Sequence, residues 1–210
     1  MAMVRSMADP TAPADSPSPA RPHRRRLVLL AAALLLLSAS PAEALVLPGA
    51  YVLARCQERL AKSAGLRLQL EIDEAGDLYR ETWTLDPRGR LLVPRGRPRV
   101  GLAALGQLFG GDLRRLLAEL GVDTSRTALG RLDGRVVVTV GALHREIQRP
   151  QLWVDQETFF PVRLLAGGRD LLLREVGAPP TQGLFPRRIQ VQEGGQLLWQ
   201  AQVLDLGKLP

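Results

Sequence analysis

The chain of 210 residues contains one cysteine, Cys56, and no asparagine. One cysteine excludes an intramolecular disulfide. With a single histidine beyond residue 44, His144, it also excludes a His/Cys zinc cluster. Aromatic residues make up only 4% of the chain, so its core must be built from aliphatic side chains, chiefly leucine. Serine is equally scarce past residue 44, where only Ser63 and Ser125 occur. Ser63 falls near the end of a helical pattern and Ser125 in a polar connection, neither in a nucleophile elbow. No glycine-rich loop follows a strand and opens a helix, so no phosphate cradle is present. This inventory carries no catalytic signature and calls for no cofactor or metal.

Positive charge is abundant by contrast. The formal net charge is +7, of which residues 1–44 contribute +2, leaving +5 on residues 45–210. Arg88, Arg90, Arg95, Arg97 and Arg99 gather within one Pro- and Gly-rich stretch. They are candidates for contact with phosphate headgroups or an acidic partner surface. The competing reading is a solvated hairpin tip. The stretch has no interleaved aromatics and no nucleic-acid motif, so nucleic acid is not an expected partner.

Residues 1–20 are rich in Ala, Pro, Ser and Asp. Arg24-Arg25-Arg26 then precedes an uninterrupted apolar run from Leu27 to Leu37, and Ala42-Glu43-Ala44 closes it. A basic region, a short apolar region and a small-residue motif predict an export signal cleaved after Ala44. The alternative is an uncleaved inner-membrane anchor, although the run is shorter than the roughly 20 residues of a comfortable span. Cys56 follows Leu53-Ala54-Arg55, with arginine where a lipidation motif needs a small residue, so it is not a lipidated terminus.

Past the leader, Leu53, Cys56, Leu60 and Ala64 repeat at helical spacing up to Gly65. On that stripe Cys56 is a small core hydrophobe. Leu66, Leu68, Leu70 and Ile72 alternate with polar residues, and Tyr79, Glu81, Trp83 and Leu85 form one face of the next strand. Two short amphipathic helices are expected over Leu102–Phe109 and Leu113–Leu120, the second capped by Asp112. Asp133-Gly134 joins two further strands. The last predicted strand alternates Leu197, Trp199, Ala201 and Val203. Helices with one apolar stripe must lie against a sheet.

The central hairpin is Gln151 to Leu165: Leu152-Trp153-Val154, a polar turn from Asp155 to Thr158, and Phe159 onwards, with Pro161 suited to a strand start. This hairpin, Trp153-Val154-Asp155-Gln156-Glu157-Thr158 followed by Pro161-Val162-Arg163, resembles one common in the LolA/LolB/RseB-like superfamily of periplasmic lipoprotein carriers and sensors. A second echo is Phe185 to Val191 followed by Gly194-Gly195. The resemblance spans roughly Leu45 to Leu206. It implies one α+β domain over residues 45–210, a curved antiparallel half-open β-barrel with helices covering the concave face. The strand pattern suggests about nine to eleven strands.

That resemblance further implies a periplasmic carrier whose apolar cavity holds a lipoprotein or another acyl-chain ligand without covalent chemistry. Leu68, Leu70, Ile72, Tyr79, Trp83, Phe160, Val162, Ile189 and Trp199 are the candidate cavity or core residues. Alternation marks a buried face but leaves open whether ligand or protein covers it. The second reading is an envelope sensor or scaffold of the same fold, its cavity filled by side chains and its partner a protein or membrane surface.

Overall fold

The computed structural model describes residues 46–94, 99–143, 146 and 148–209. The leader therefore lies outside the described residues, as do Arg95, Arg97 and His144. Helix α1 (Gly49–Ala61) leads into β1 (Leu66–Glu74), β2 (Asp77–Leu85) and β3 (Leu91–Leu92). Helices α2 (Leu102–Gly110) and α3 (Leu113–Glu119) follow. The chain then forms β4 (Thr127–Leu132), β5 (Arg135–Val140), β6 (Gln151–Asp155), β7 (Pro161–Ala166), β8 (Arg169–Val176), β9 (Pro186–Glu193) and β10 (Gln196–Lys208).

All ten strands join one antiparallel sheet in the order β3-β2-β1-β10-β9-β8-β7-β6-β5-β4. The ends, β3 and β4, do not pair with each other, so the barrel stays open. This is the α+β half-barrel implied by the sequence. Only one neighbour pair, β1 with β10, is distant along the chain; the rest are successive hairpins.

The period-two patterns become the two faces of this sheet. Leu68 pairs with Leu206, Leu70 with Val203 and Ile72 with Ala201. Ala201 pairs with Ile189, which pairs with Leu173. These apolar positions share an inner face and belong to one core that also takes in Val52, Leu53, Cys56 and Leu60 of α1. Removal of each such leucine from water contributes about 1.5–3 kcal/mol. Burial pushes the Cys56 thiol up to about 12, the behaviour of a core hydrophobe rather than a nucleophile.

Local signals end the elements as their chemistry requires. Asp112 accepts from the backbone N–H groups of Arg114 and Arg115, two donors that the first turn of α3 would otherwise orphan. Asp133 and Gly134 both adopt left-handed conformations, the geometry of a two-residue hairpin turn that matches strand twist. In the β6–β7 turn, Asp155 Oδ1 accepts from the N–H groups of Glu157 and Thr158 and from the Thr158 hydroxyl. Pro161 opens β7, as its missing N–H demands.

Candidate ligand-binding groove and inner face

The inner face is dense where the sequence suggested a cavity. Leu68, Leu70, Ile72, Trp83, Phe160 and Ile189 have no exposed surface, and Trp199 is almost as buried. Trp83 and Trp199 meet edge to face, 6.4 Å between ring centroids, an arrangement aromatic quadrupoles favour. Phe109 of α2 rests on both Phe160 and Phe185. Among the described residues, this face is therefore covered by helical side chains. Tyr79 is half-buried at its margin.

Val162 behaves differently from its companions. Trp153 pairs with Arg163 but Val154 pairs with Pro161, so Val162 is the extra residue of a β-bulge. It lines a cleft together with the outer-face residues Arg174 and Gln190. Phe160, Val162 and Leu164 nevertheless all belong to the buried core.

An apolar groove of about 590 Å3 opens where the edge strand β3 runs beside α2. Leu91 and Val93 form one wall and Leu102, Ala103 and Gly106 the other, with Arg99 at one end. Glycine flanks α2 on both sides. Gly101, in a left-handed conformation, precedes it without any side-chain cap, and Gly110-Gly111 ends it. A Cβ on Gly110 would lie 2.5 Å from the Arg90 Cα, so this glycine lets the helix end approach the chain beside β3.

The three candidate arginines among the described residues have different surroundings. Arg88 and Arg90 are exposed on the β2–β3 turn, where Arg90 pairs with Asp86 at 2.8 Å. Arg99 departs from the solvated-tip reading, because its side chain is only 3% exposed. Its Nη1 donates to Glu81 at 3.1 Å and its Nη2 to the Tyr79 hydroxyl at 2.8 Å, while Glu74 lies 3.4 Å from Nε. The guanidinium also sits 5.3 Å from the centre of the Tyr79 ring.

Trp83 completes this network by donating its indole N–H to Glu81 at 2.7 Å. Burial pushes the Glu81 carboxyl upward, but the bonds from Arg99 and Trp83 and the charge of Arg99 outweigh it, leaving Glu81 below the usual range. Burial and the bond to Glu74 push the Tyr79 phenol upward. Burial disfavours the Arg99 charge, yet Glu81 and Tyr79 hold it more firmly protonated than a free guanidinium. Glu74 and Glu81 were not among the sequence candidates. A signal was present for Glu81, a carboxylate on the same strand face as Tyr79, Trp83 and Leu85, where burial demands a cation.

No protein-family model and no curated protein matches the chain. Among solved structures it is similar to a LolA superfamily protein from Nitrosomonas europaea, at 14% identity and a TM-score of 0.45, covering 79% of this chain and 94% of that one. It is also similar to a DUF1329 family protein from Desulfovibrio piger, at 11% identity and a TM-score of 0.40, covering 77% and 93%. A third similarity is to MucB in complex with MucA(peri), at 21% identity and a TM-score of 0.28, where the match takes 77% of this chain and 57% of MucB. These are likenesses of fold. Residue roles here come from the geometry of this chain.

Proposed function

We propose that the protein is a non-covalent binding protein of the cell envelope. Its ligand is an acyl chain, carried by a lipoprotein or a lipid, received in the groove between β3 and α2 and continuing beneath that helix. The apolar groove at the open sheet edge supports this reading best, since each methylene buried there contributes about 0.8 kcal/mol. The glycines flanking α2 would let the helix move aside, exposing Trp83, Trp199 and their neighbours to the chain. The export signal read over residues 1–44 would deliver the protein to the periplasm. Among the described residues no helix is long and apolar enough to cross a membrane.

A second reading is favoured by the filled inner face. Side chains occupy the positions a cargo would take, as expected of a sensor or scaffold that binds a protein partner. Native mass spectrometry of the protein purified from a bacterial periplasm, with analysis of co-purified lipids, separates the two. Stoichiometric adducts of acyl-chain mass, lost on Gly106→Leu within the groove, are the outcome expected for a carrier. A clean apo mass, with no displacement of an added fluorescent lipid, would overturn it in favour of the partner-binding module.

A further inference from the structure

The sheet carries a second concavity, distinct from the groove and bordered by residues of β4 to β9. At the tip of the β4–β5 hairpin, Asp133 forms an ion pair with Arg174 of β8. Strands β6 and β7 lie between those two elements in the sheet. The pair brings the hairpin tip to β8 across the two intervening strands, and the cleft beside it, lined also by Leu132 and Leu173, has a volume of about 430 Å3. Val137, Val162 and Val176 give the cleft apolar walls.

Charge around the cleft is balanced rather than basic. Arg135, Arg174 and Arg188 alternate with Asp133, Asp155 and Glu175. Arg188 lies 3.3 Å from Glu175, and beside it on the outer face of β9 is the neutral amide of Gln190. A site with both signs of charge over an apolar floor suits a ligand that itself carries both signs. A simple anion would meet the three carboxylates, and a hydrocarbon would offer no donor to the Asp155 oxygen that faces Arg135 at 3.7 Å.

Asp155 gives the site a direction. Its side chain is 3% exposed. Oδ1 is committed to the β6–β7 turn, accepting three hydrogen bonds at 3.2, 2.8 and 2.8 Å. Among the described residues the cation facing Oδ2 is Arg135, whose Nη1 stands 3.7 Å away, too far for a hydrogen bond. A carboxylate oxygen in that position gains most from a charged N–H donor supplied through the cleft.

We propose that this cleft binds a small zwitterion of the amino-acid or short-peptide class, with its ammonium on Asp155, its carboxylate on Arg188 and Gln190, and its apolar side chain over the valines. The observation is independent of the groove and of any acyl ligand.

Calorimetric titration of the purified protein with leucyl-glycine tests it, alongside N-acetyl-leucyl-glycine, which lacks the ammonium, and leucyl-glycinamide, which lacks the carboxylate. The expected result is one saturable site for leucyl-glycine, weakened about tenfold or more by loss of either charge. Asp155→Asn keeps an oxygen acceptor for the turn while removing the charge, and should abolish the measurable heat. Should that variant not fold, Arg188→Gln, on a partly exposed side chain, is expected to weaken binding about tenfold. Absence of saturable heat up to about 10 mM leucyl-glycine would overturn the proposal. So would equal affinity for all three dipeptides, or undiminished binding by Arg188→Gln.

Discussion

Helices α1 and α2 share the inner face of the sheet but are held there by different means. Over its 13 residues α1 buries Val52, Leu53, Cys56 and Leu60. Its C-terminal end is tied to the β8–β9 loop, where Arg59 donates to the Gly183 carbonyl at 2.8 Å and the Ser63 hydroxyl donates to the Leu184 carbonyl. Tyr51 meets Phe159 edge to face, and Arg55 lies over the same ring. By comparison α2 has nine residues, buries Leu105, Leu108 and Phe109, and starts from the left-handed Gly101, with no side-chain cap at either helix's start. A hydrogen bond from Trp199 Nε1 to the Val100 carbonyl, 2.8 Å long, holds the chain just before it. One helix is fastened by side chains at its end; the other is flanked by glycines and bordered by a groove. The difference predicts that α1 anchors and that α2 opens more readily.

The largest expected effect is on the network beside α2. Replacing Arg99 by Met leaves Glu81 and Glu74 without their cation, and should lower stability in urea denaturation by about 3–5 kcal/mol near neutral pH. The penalty should shrink in acid, because protonated Glu81 no longer needs a cation. In the parent protein the Glu81 carboxyl lies below its ordinary value, so its contribution is complete above about pH 4.5 and is lost as pH falls through the lowered value. A penalty that stayed constant with pH would remove Arg99 from this electrostatic role.

A smaller pair of substitutions compares the helices directly. Leu53→Ala in α1, at a site 2% exposed, should cost about 2–5 kcal/mol in the same denaturation measurement. Leu102→Ala in α2 removes a half-buried groove side chain and should cost about 1 kcal/mol or less. Equal costs would erase the distinction between the helices.

The smallest effect concerns Gly101, whose φ is 81°. Gly101→Ala should cost about 1 kcal/mol through backbone strain. Hydrogen exchange should find α2 amides opening faster than those of α1 in the parent, and faster still in this variant, with α1 unchanged. Slower exchange in α2 than in α1 would reverse the assignment.

Much of this architecture was legible before the structure. Leu66 to Ile72 and Trp199 to Val203 alternate strictly because one side of each strand packs and the other is wet. Asp112 and the Asp133-Gly134 turn announced their elements through chemistry contained within a few residues. Strand β3 is confined to Leu91–Leu92, at the sheet edge just before Val93-Pro94. Val162 stays in the core but sits at a register shift between β6 and β7, which composition does not announce. Arg99 resembled the exposed Arg88 and Arg90 in sequence, yet its partners Glu74 and Glu81 lie on β1 and β2.

Local patterning thus established that the chain makes apolar-faced strands and one-sided helices. Those are properties of short stretches, set by period and residue chemistry. Tertiary structure decided which helical side chains fill the inner face, where the groove opens beside α2, and how Asp133 reaches Arg174 across intervening strands. These depend on contacts between residues distant in sequence, whose geometry comes from sheet curvature, bulges and packing once the strands have assembled.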